Sequence, residues 1–306
     1  MIPSEASYLK TTIRTSRARA HGMSQQNLHV GMVRSPGPRG TASTNDDAER
    51  GACMSKPGID VSKRSLACRD CPARASGGLC AEYGQESLYE IASHKSDDRE
   101  FKAGQDIFRL GEPCNSIYNL ASGWVILYNI LEDGRRQILH FALPGTVLGW
   151  HPANGAMMTY SAQALTDAVV CPIPHSALPA LVNRRPGLGL RLAWLIGRDR
   201  SLAFDRLTSI GRHSARERVA HLLLELFIRY RAQWPGSQIE EMQLPLTQEH
   251  IGDATGLTSV HVNRVLQDLR KDGIVEFHYR RLRVLDPDKL VDEAGIDPQL
   301  AMSWIR

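Results

Sequence analysis

The stretch LTQEHIGDATGLTSVHVNRVLQDLRKDG, Leu246 to Gly273, constrains the fold more than any other part of the chain. Thr247 offers a side-chain oxygen to the unpaired amides of a first helical turn, and Ile251 and Ala254 follow on one face. That pattern predicts a short helix from Thr247 to Ala254. Gly256 takes a left-handed conformation at little steric cost, so the chain turns sharply before Thr258 caps a second helix. Val262, Val265, Leu266 and Leu269 then recur at helical spacing and face inward, while Ser259, His261, Asn263, Arg264 and Gln267 lie on the opposite face. Two helices joined by a glycine turn, the second polar and partly basic outside, make the helix-turn-helix pattern, whose second helix touches base edges near its N-terminus. An ordinary helical hairpin with a solvated face shares this pattern, and the segment after Gly273 separates the two. IVEFHYRRLRVLD has two alternating apolar and basic runs with Arg280 and Arg281 at the turn, a wing able to lie along a phosphate backbone. The candidate DNA-contacting residues are Thr247, Gln248, Thr258, Ser259, Val260, His261, Asn263 and Arg264.

The 306 residues leave room for two domains and a tail, and 42% hydrophobic content supports proper cores. A formal charge of +4 does not by itself establish nucleic-acid binding but is compatible with one basic face. No apolar run reaches membrane-spanning length, and Lys10, Arg14, Arg17 and Arg19 are followed by polar residues and not by the apolar core of a secretory signal, so a cytoplasmic chain is expected. Six cysteines in that compartment point to metal or redox chemistry ahead of disulfides.

Residues 1–65 are rich in Ser, Arg, Gly, Pro and Asn without an apolar period and are expected to be a disordered tail, with Met23 or Met54 as alternative starts; Cys53 has no ligand-like neighbour there. A cysteine-rich leader, 66–99, comes next. Its LACRDCPARASGGLC sets Cys68, Cys71 and Cys80 in a C-x2-C-x8-C array whose thiolates can turn onto one ion or cluster, with Gly77 and Gly78 giving the longer gap its freedom. Three such ligands require a fourth. From 100 to 185 short β-branched and aromatic runs (DIFRL, SIYNL, GWVILYNIL, RQILHFAL, AVVCPIP) between glycines predict an antiparallel β-roll or jelly roll. By composition alone Cys171, in the last run, is a small apolar filler.

Pro186 suits the first turn of a long helix over 186–212. Leu188, Leu192, Leu195, Ile196, Leu202, Ala203 and Leu207 form its stripe, which could pack on the roll but by its length is expected to be a seam with a second copy, interrupted or flanked by Asp199 and Arg206. An amphipathic helix from Ala215 to Arg231 leads into the helix-turn-helix, and 213–306 form the C-terminal unit. The fold class expected is α+β.

A β-roll, a long dimer helix and a winged helix-turn-helix, in that order, resemble the Crp/Fnr family of bacterial transcription regulators. The residues that carry the likeness are GEPCNSIYNLASGWV in the roll, SARERVAHLLLEL after the dimer helix and LTQEHIGDATGLTSVHVNRVLQDLRKDGIV at the end. The resemblance implies a homodimer that binds an inverted-repeat operator in double-stranded DNA and engages RNA polymerase. Its Fnr branch holds an oxygen-labile iron-sulfur cluster, of the 4Fe-4S type, on an N-terminal cysteine cluster and one cysteine late in the roll, which implies Cys68, Cys71, Cys80 and Cys171 as ligands. The gap between Cys71 and Cys80 is longer than is usual in that branch. The cyclic-nucleotide branch has a Gly-Glu and a later Arg-Ser; here Trp150 stands for the Glu and Tyr160 for the Arg, so no cyclic nucleotide is expected. Arg264 matches an arginine that contacts guanine, but Val260 replaces the glutamate four residues before it and offers only apolar contact, for instance to a thymine methyl.

Two other functions compete with this reading. In one, the cysteines hold a structural zinc, or no metal, and the signal lies elsewhere. The other is an enzyme; no nucleophile elbow, P-loop, HExxH or dinucleotide fingerprint is present, and His140, His151 and His175 stand apart from one another.

Overall fold

The computed structural model describes residues 68–81, 83–151, 156–233, 241–301 and 304–305. The expectations for 1–65, Cys53 included, lie outside these residues.

The leader forms two helices, α1 (Pro72–Ala75) and α2 (Gln85–His94). Eight strands come after it: β1 (Arg99–Phe101), β2 (Asp106–Phe108), β3 (Ser116–Ser122), β4 (Val125–Ile130), β5 (Arg136–Ala142), β6 (Val147–Leu148), β7 (Ser161–Ala164) and β8 (Ala168–Pro174). They make two antiparallel four-stranded sheets, ordered β1-β8-β3-β6 and β2-β7-β4-β5. Strand β1 begins inside the span assigned to the leader, because Arg99 pairs with Val170. Between the sheets Ile107, Phe108, Leu120, Val125, Leu148 and Val170 pack into one apolar core. The expected roll is therefore present, and each of the five apolar runs contains one of its strands.

Helix α3 (Leu178–Arg184) leads into α4 (Pro186–Arg212), and α5 (Ala215–Gln233) succeeds it. The C-terminal unit continues with β9 (Glu241–Gln243), α6 (Gln248–Thr255), α7 (Ser259–Lys271), β10 (Val275–His278), β11 (Arg281–Val284), α8 (Pro287–Ala294) and α9 (Pro298–Ala301). The wing has a third strand, β9, that the sequence pattern does not reveal; Met242 sits opposite Leu282. Among the described residues no helix is long and apolar enough to cross a membrane.

The stripe expected to form a dimer seam packs within its own chain. Leu188, Leu192 and Leu195 are buried with Leu79, Tyr83, Leu88 and Ile91 of the leader and with Ile117, Val147 and Ile173 of the roll, and Ile196 packs against the same cluster. Leu202 belongs to a second cluster that joins Ile126, Ile138 and Phe141 of the roll to Val219, Leu223 and Phe227 of α5. Ala203 is exposed. Asp199 is partly buried beside Arg198, 3.2 Å away, and burial holds its carboxyl above the usual range against the pull of Arg198. Helical spacing fixes which residues share a face, but both faces of α4 are apolar, and the roll and leader take the richer one.

A buried ionic cluster joins three elements. The Glu225 carboxylate of α5 accepts from Arg206 of α4 at 2.7 Å and from Arg229 of α5 at 2.8 Å. Arg206 also donates to the Leu139 carbonyl and Arg229 to the Phe141 carbonyl, both on β5. Burial works against the Glu225 charge, yet Arg206 and Arg229 outweigh it and hold the carboxyl down at about 2. Strand β5 reaches the helix-turn-helix as well, through Arg136 and Asp253 of α6 at 2.8 Å.

Candidate functional site

Thr247 caps α6 as expected: its hydroxyl accepts from the His250 amide at 3.2 Å, and the His250 ring accepts from the Thr247 amide at 3.3 Å. Gly256 ends α6 with φ +69°. A second glycine, Gly252, matters as much. A Cβ there would lie 2.5 Å from the Leu257 carbonyl oxygen, so only glycine lets the turn fold back this closely on α6. Sequence spacing does not single it out, because a glycine inside a helix carries no sign of the backbone that approaches it.

Thr258 caps α7, accepting from the His261 amide at 3.3 Å. Val262, Val265, Leu266 and Leu269 are buried beneath the helix, as their spacing requires. Above them Thr258, Ser259, Val260, His261 and Arg264 are exposed on its first turns, Val260 to 62%. Gln248 and Asn263 are half-buried and bound to each other, the Gln248 amide donating to Asn263 Oδ1 at 3.1 Å, so they fix the angle between α6 and α7. Their role is positioning at least as much as contact. The wing turns on Tyr279 and Arg280, at φ 49° and 61°, two left-handed residues in sequence as a tight hairpin demands. The Leu244 amide secures that turn by donating to the Arg280 carbonyl at 2.8 Å.

The second candidate site lies where the leader meets β8. Cys171 is buried on β8, opposite Asn119 of β3 and on the strand face that carries Ile173 against the leader. Burial drives the Cys171 thiol far above its ordinary range, with Lys95, Asp98, Cys80 and Cys68 as its electrostatic neighbours. Burial also pushes Cys80 up to about 12, with Cys68 and Cys71 adding to the rise. Cys68 is raised by burial, against the opposing pull of the Lys95 charge. The four cysteines thus share one electrostatic neighbourhood, around a buried lysine whose Nζ lies 2.8 Å from Asp98 Oδ1. Among the described residues no three His, Cys, Asp or Glu side chains already stand in ligating geometry, so metal binding requires the leader thiols to close on Cys171. Cys114 lies apart, its thiol donating to the Gly149 carbonyl at 3.0 Å.

Gly77 and Gly78 do more than loosen the gap between Cys71 and Cys80. Gly77 is left-handed, and a Cβ on Gly78 would come within 2.8 Å of Gly145 Cα, so the leader backbone lies directly on the turn before β6. Arg191 of α4 holds it there by donating to the Gly77 and Gly78 carbonyls. In the roll, Tyr160 packs on Phe108, and its hydroxyl accepts from the Gly149 amide at 3.1 Å.

Residues 98–185 match the cyclic nucleotide-binding domain family and residues 217–293 the Crp-like helix-turn-helix domain. The nitrogen fixation regulation protein FixK of Bradyrhizobium diazoefficiens is 32% identical over 223 residues, 73% of this chain and 92% of that protein. The chain belongs to the Crp/Fnr family of transcription regulators. The transcriptional activator protein FnrL of Cereibacter sphaeroides is 30% identical over 233 residues, covering 75% of this chain and 92% of its own. The solved structure of FixK2 from Bradyrhizobium japonicum superposes with a TM-score of 0.59 at 29% identity, over 66% of this chain and 98% of that one. Membership in this Crp/Fnr group makes the chain a DNA-binding regulator and not an enzyme. The cyclic nucleotide-binding match spans the roll, within which Tyr160 packs on Phe108 and accepts from the Gly149 amide.

Proposed function

We propose that the chain is a homodimeric transcription regulator that reads inverted-repeat DNA with α7 and senses oxygen or redox state through an iron-sulfur cluster held by Cys68, Cys71, Cys80 and Cys171. The observation that carries the reading is that three partly buried leader thiols and the buried Cys171 lie within electrostatic reach of one another, while Cys114 lies apart. This donor set fits the group. Soft sulfur ligands favour iron-sulfur clusters and zinc over hard cations, and thiols raised by burial regain their thiolate form when a cation balances them. A bound cluster would supply a redox-labile link between leader and roll. The relatives include proteins named anaerobic regulatory protein, which agrees with that signal.

The chain's own residues supply the rest. The leader touches Leu188, Leu192 and Leu195, so whatever fixes the leader also fixes α4. The dimer seam is assigned to the opposite stripe of α4. Leu190, Ala193, Gly197, Arg200, Phe204, Leu207 and Gly211 recur at steps of three and four, and Leu190, Phe204 and Leu207 are 75%, 61% and 68% exposed. Two copies joined there present two α7 helices to successive major grooves, about 34 Å apart. At the DNA, Arg264 is placed to contact guanine and Val260 a thymine methyl.

The test is anaerobic purification with an iron and sulfide count, followed by operator binding. A brown protein that loses colour, iron and operator binding in Cys171→Ser but keeps all three in Cys114→Ser supports the reading. A colourless protein carrying zinc selects a structural metal instead, and Cys171→Ser with unchanged iron refutes the four-ligand set.

A further inference from the structure

The turn between β10 and β11 carries residues ill suited to its shape. His278 pairs with Arg281, so Tyr279 and Arg280 alone make the connection, at φ 49° and 61°. A two-residue turn of this kind asks for Asn-Gly or a similar pair at home in the left-handed region, where a bulky side chain is strained. The fold gains nothing in exchange. Tyr279 is 98% exposed, so its ring packs on nothing in the chain. Arg280 is exposed as well, and among the described residues no carboxylate pairs with it. Beside it, Arg281 and Arg283 are paired with Glu241 at 3.0 Å and Glu276 at 3.9 Å. Strain that the fold itself does not use points to a contact made outside it.

The segment beside the turn identifies that contact. The Arg280 carbonyl accepts from the Leu244 amide at 2.8 Å, and Arg281 pairs with Gln243 of β9. These bonds hold the tip against the chain that enters α6 at the Thr247 cap. The first helix of a helix-turn-helix crosses the DNA backbone while the second fills the major groove. The tip is therefore carried to the duplex beside the stretch that α7 reads. We propose that Tyr279 and Arg280 form a second DNA-reading element, Arg280 entering the minor groove that flanks each α7 site and Tyr279 lying along its sugar-phosphate wall. The proposal rests on α7 being the helix that reads DNA. A narrow A·T-rich minor groove concentrates negative potential and draws in arginine more strongly than a wider groove does. The tip thereby selects A·T-rich flanks by groove shape, at base pairs that α7 does not touch.

The experiment uses full-length protein purified anaerobically and a duplex that wild type selects from a random pool, prepared with A·T or G·C runs on both flanks. Wild type is compared with Tyr279→Phe, Arg280→Gln and the double variant Tyr279→Asn with Arg280→Gly, whose Asn-Gly pair suits the turn. Wild type is expected to prefer the A·T-flanked duplex about tenfold. Arg280→Gln and the double variant lose that preference without changing the choice of bases under α7, and Tyr279→Phe keeps most of it. The double variant also unfolds at a higher temperature than wild type, because its turn is no longer strained. Weaker binding by a more stable protein is a result that damage to the fold cannot produce. A double variant with the wild-type flank preference overturns the proposal, and so does a thermal midpoint no higher than that of wild type. Equal weakening on both flanks overturns it too and leaves the tip a phosphate contact alone. Variants that bind both duplexes as wild type does but fail to support transcription by RNA polymerase would assign the tip to polymerase instead, and the proposal falls. Wild-type protein that selects no duplex refutes the reading of α7 itself, an outcome visible before any variant is compared.

Discussion

Replacing Leu207 by alanine should separate association from folding. Leu207 is 68% exposed in the single chain and lies on the stripe assigned to the seam. Full burial of a leucine side chain contributes about 2 kcal/mol, so covering what is still exposed is worth about 1.4 kcal/mol per copy and about 3 kcal/mol per dimer. At about 1.4 kcal/mol per tenfold, the dimer dissociation constant should rise up to about a hundredfold. The matched control is Leu192→Ala on the opposite face. Leu192 is buried in the core its own chain makes with the leader, so its truncation should lower stability by about 2 to 5 kcal/mol. Sedimentation across a concentration series measures the first effect and thermal unfolding the second. A Leu207→Ala protein that dimerises like wild type, alongside a Leu192→Ala protein that is monomeric at unchanged thermal stability, would refute the assignment and restore the face that the sequence pattern suggests.

Glu225→Gln should destabilise the chain by about 3 to 5 kcal/mol, because it leaves Arg206 and Arg229 buried without a counter-charge; denaturant unfolding at neutral pH measures it. In wild type, Glu225, held at about 2, contributes above the ordinary carboxylate range and loses that contribution as pH falls from there towards 2. His140 is held well below its usual value by burial and by Arg229, and burial depresses His221 and His250 too. Below about pH 6.5 the unfolded chain therefore takes up protons that the fold excludes, and the thermal midpoint should fall between about pH 7 and pH 5. A flat profile over that interval would contradict burial of these rings in neutral form. Arg264→Ala should weaken specific DNA binding by about 1 to 3 kcal/mol and relax preference at one base pair per half-site in a binding-site selection; uniform weakening over all sequences would mean a phosphate contact only.

The helix-turn-helix is legible in the sequence because its determinants are local. Thr247, Gly256 and Thr258 each act within a few residues of themselves, and the structure places every one in the expected cap or turn. The stripe on α4 is legible as a stripe but not as an interface, since periodicity cannot say whether a leucine meets its own roll or a second copy. Gly252 and Gly78 escape the sequence for a related reason: what makes each necessary is a backbone segment that arrives from elsewhere. Lys95 is invisible there. Nothing in ASHKSDD distinguishes a solvated lysine from one that is buried at the end of α2 with Asp98 as an ion-pair partner. Cys171 shows the opposite case, its place by the leader anticipated only through family resemblance.

Strand β5 touches three helices at once: Leu139 and Phe141 receive Arg206 and Arg229 from α4 and α5, and Arg136 holds Asp253 on α6. Sensor and reader are therefore poor candidates for free exchange. A chimaera joined after residue 212, the natural cut between named domains, would bring a foreign Glu225 equivalent to the native Arg206 and a foreign helix to Arg136. Such a hybrid would fold only if the donor carried matching charges at both places. Grafting this protein's signal onto another promoter specificity is better done by exchanging the exposed residues of α7 alone, which none of those contacts involve.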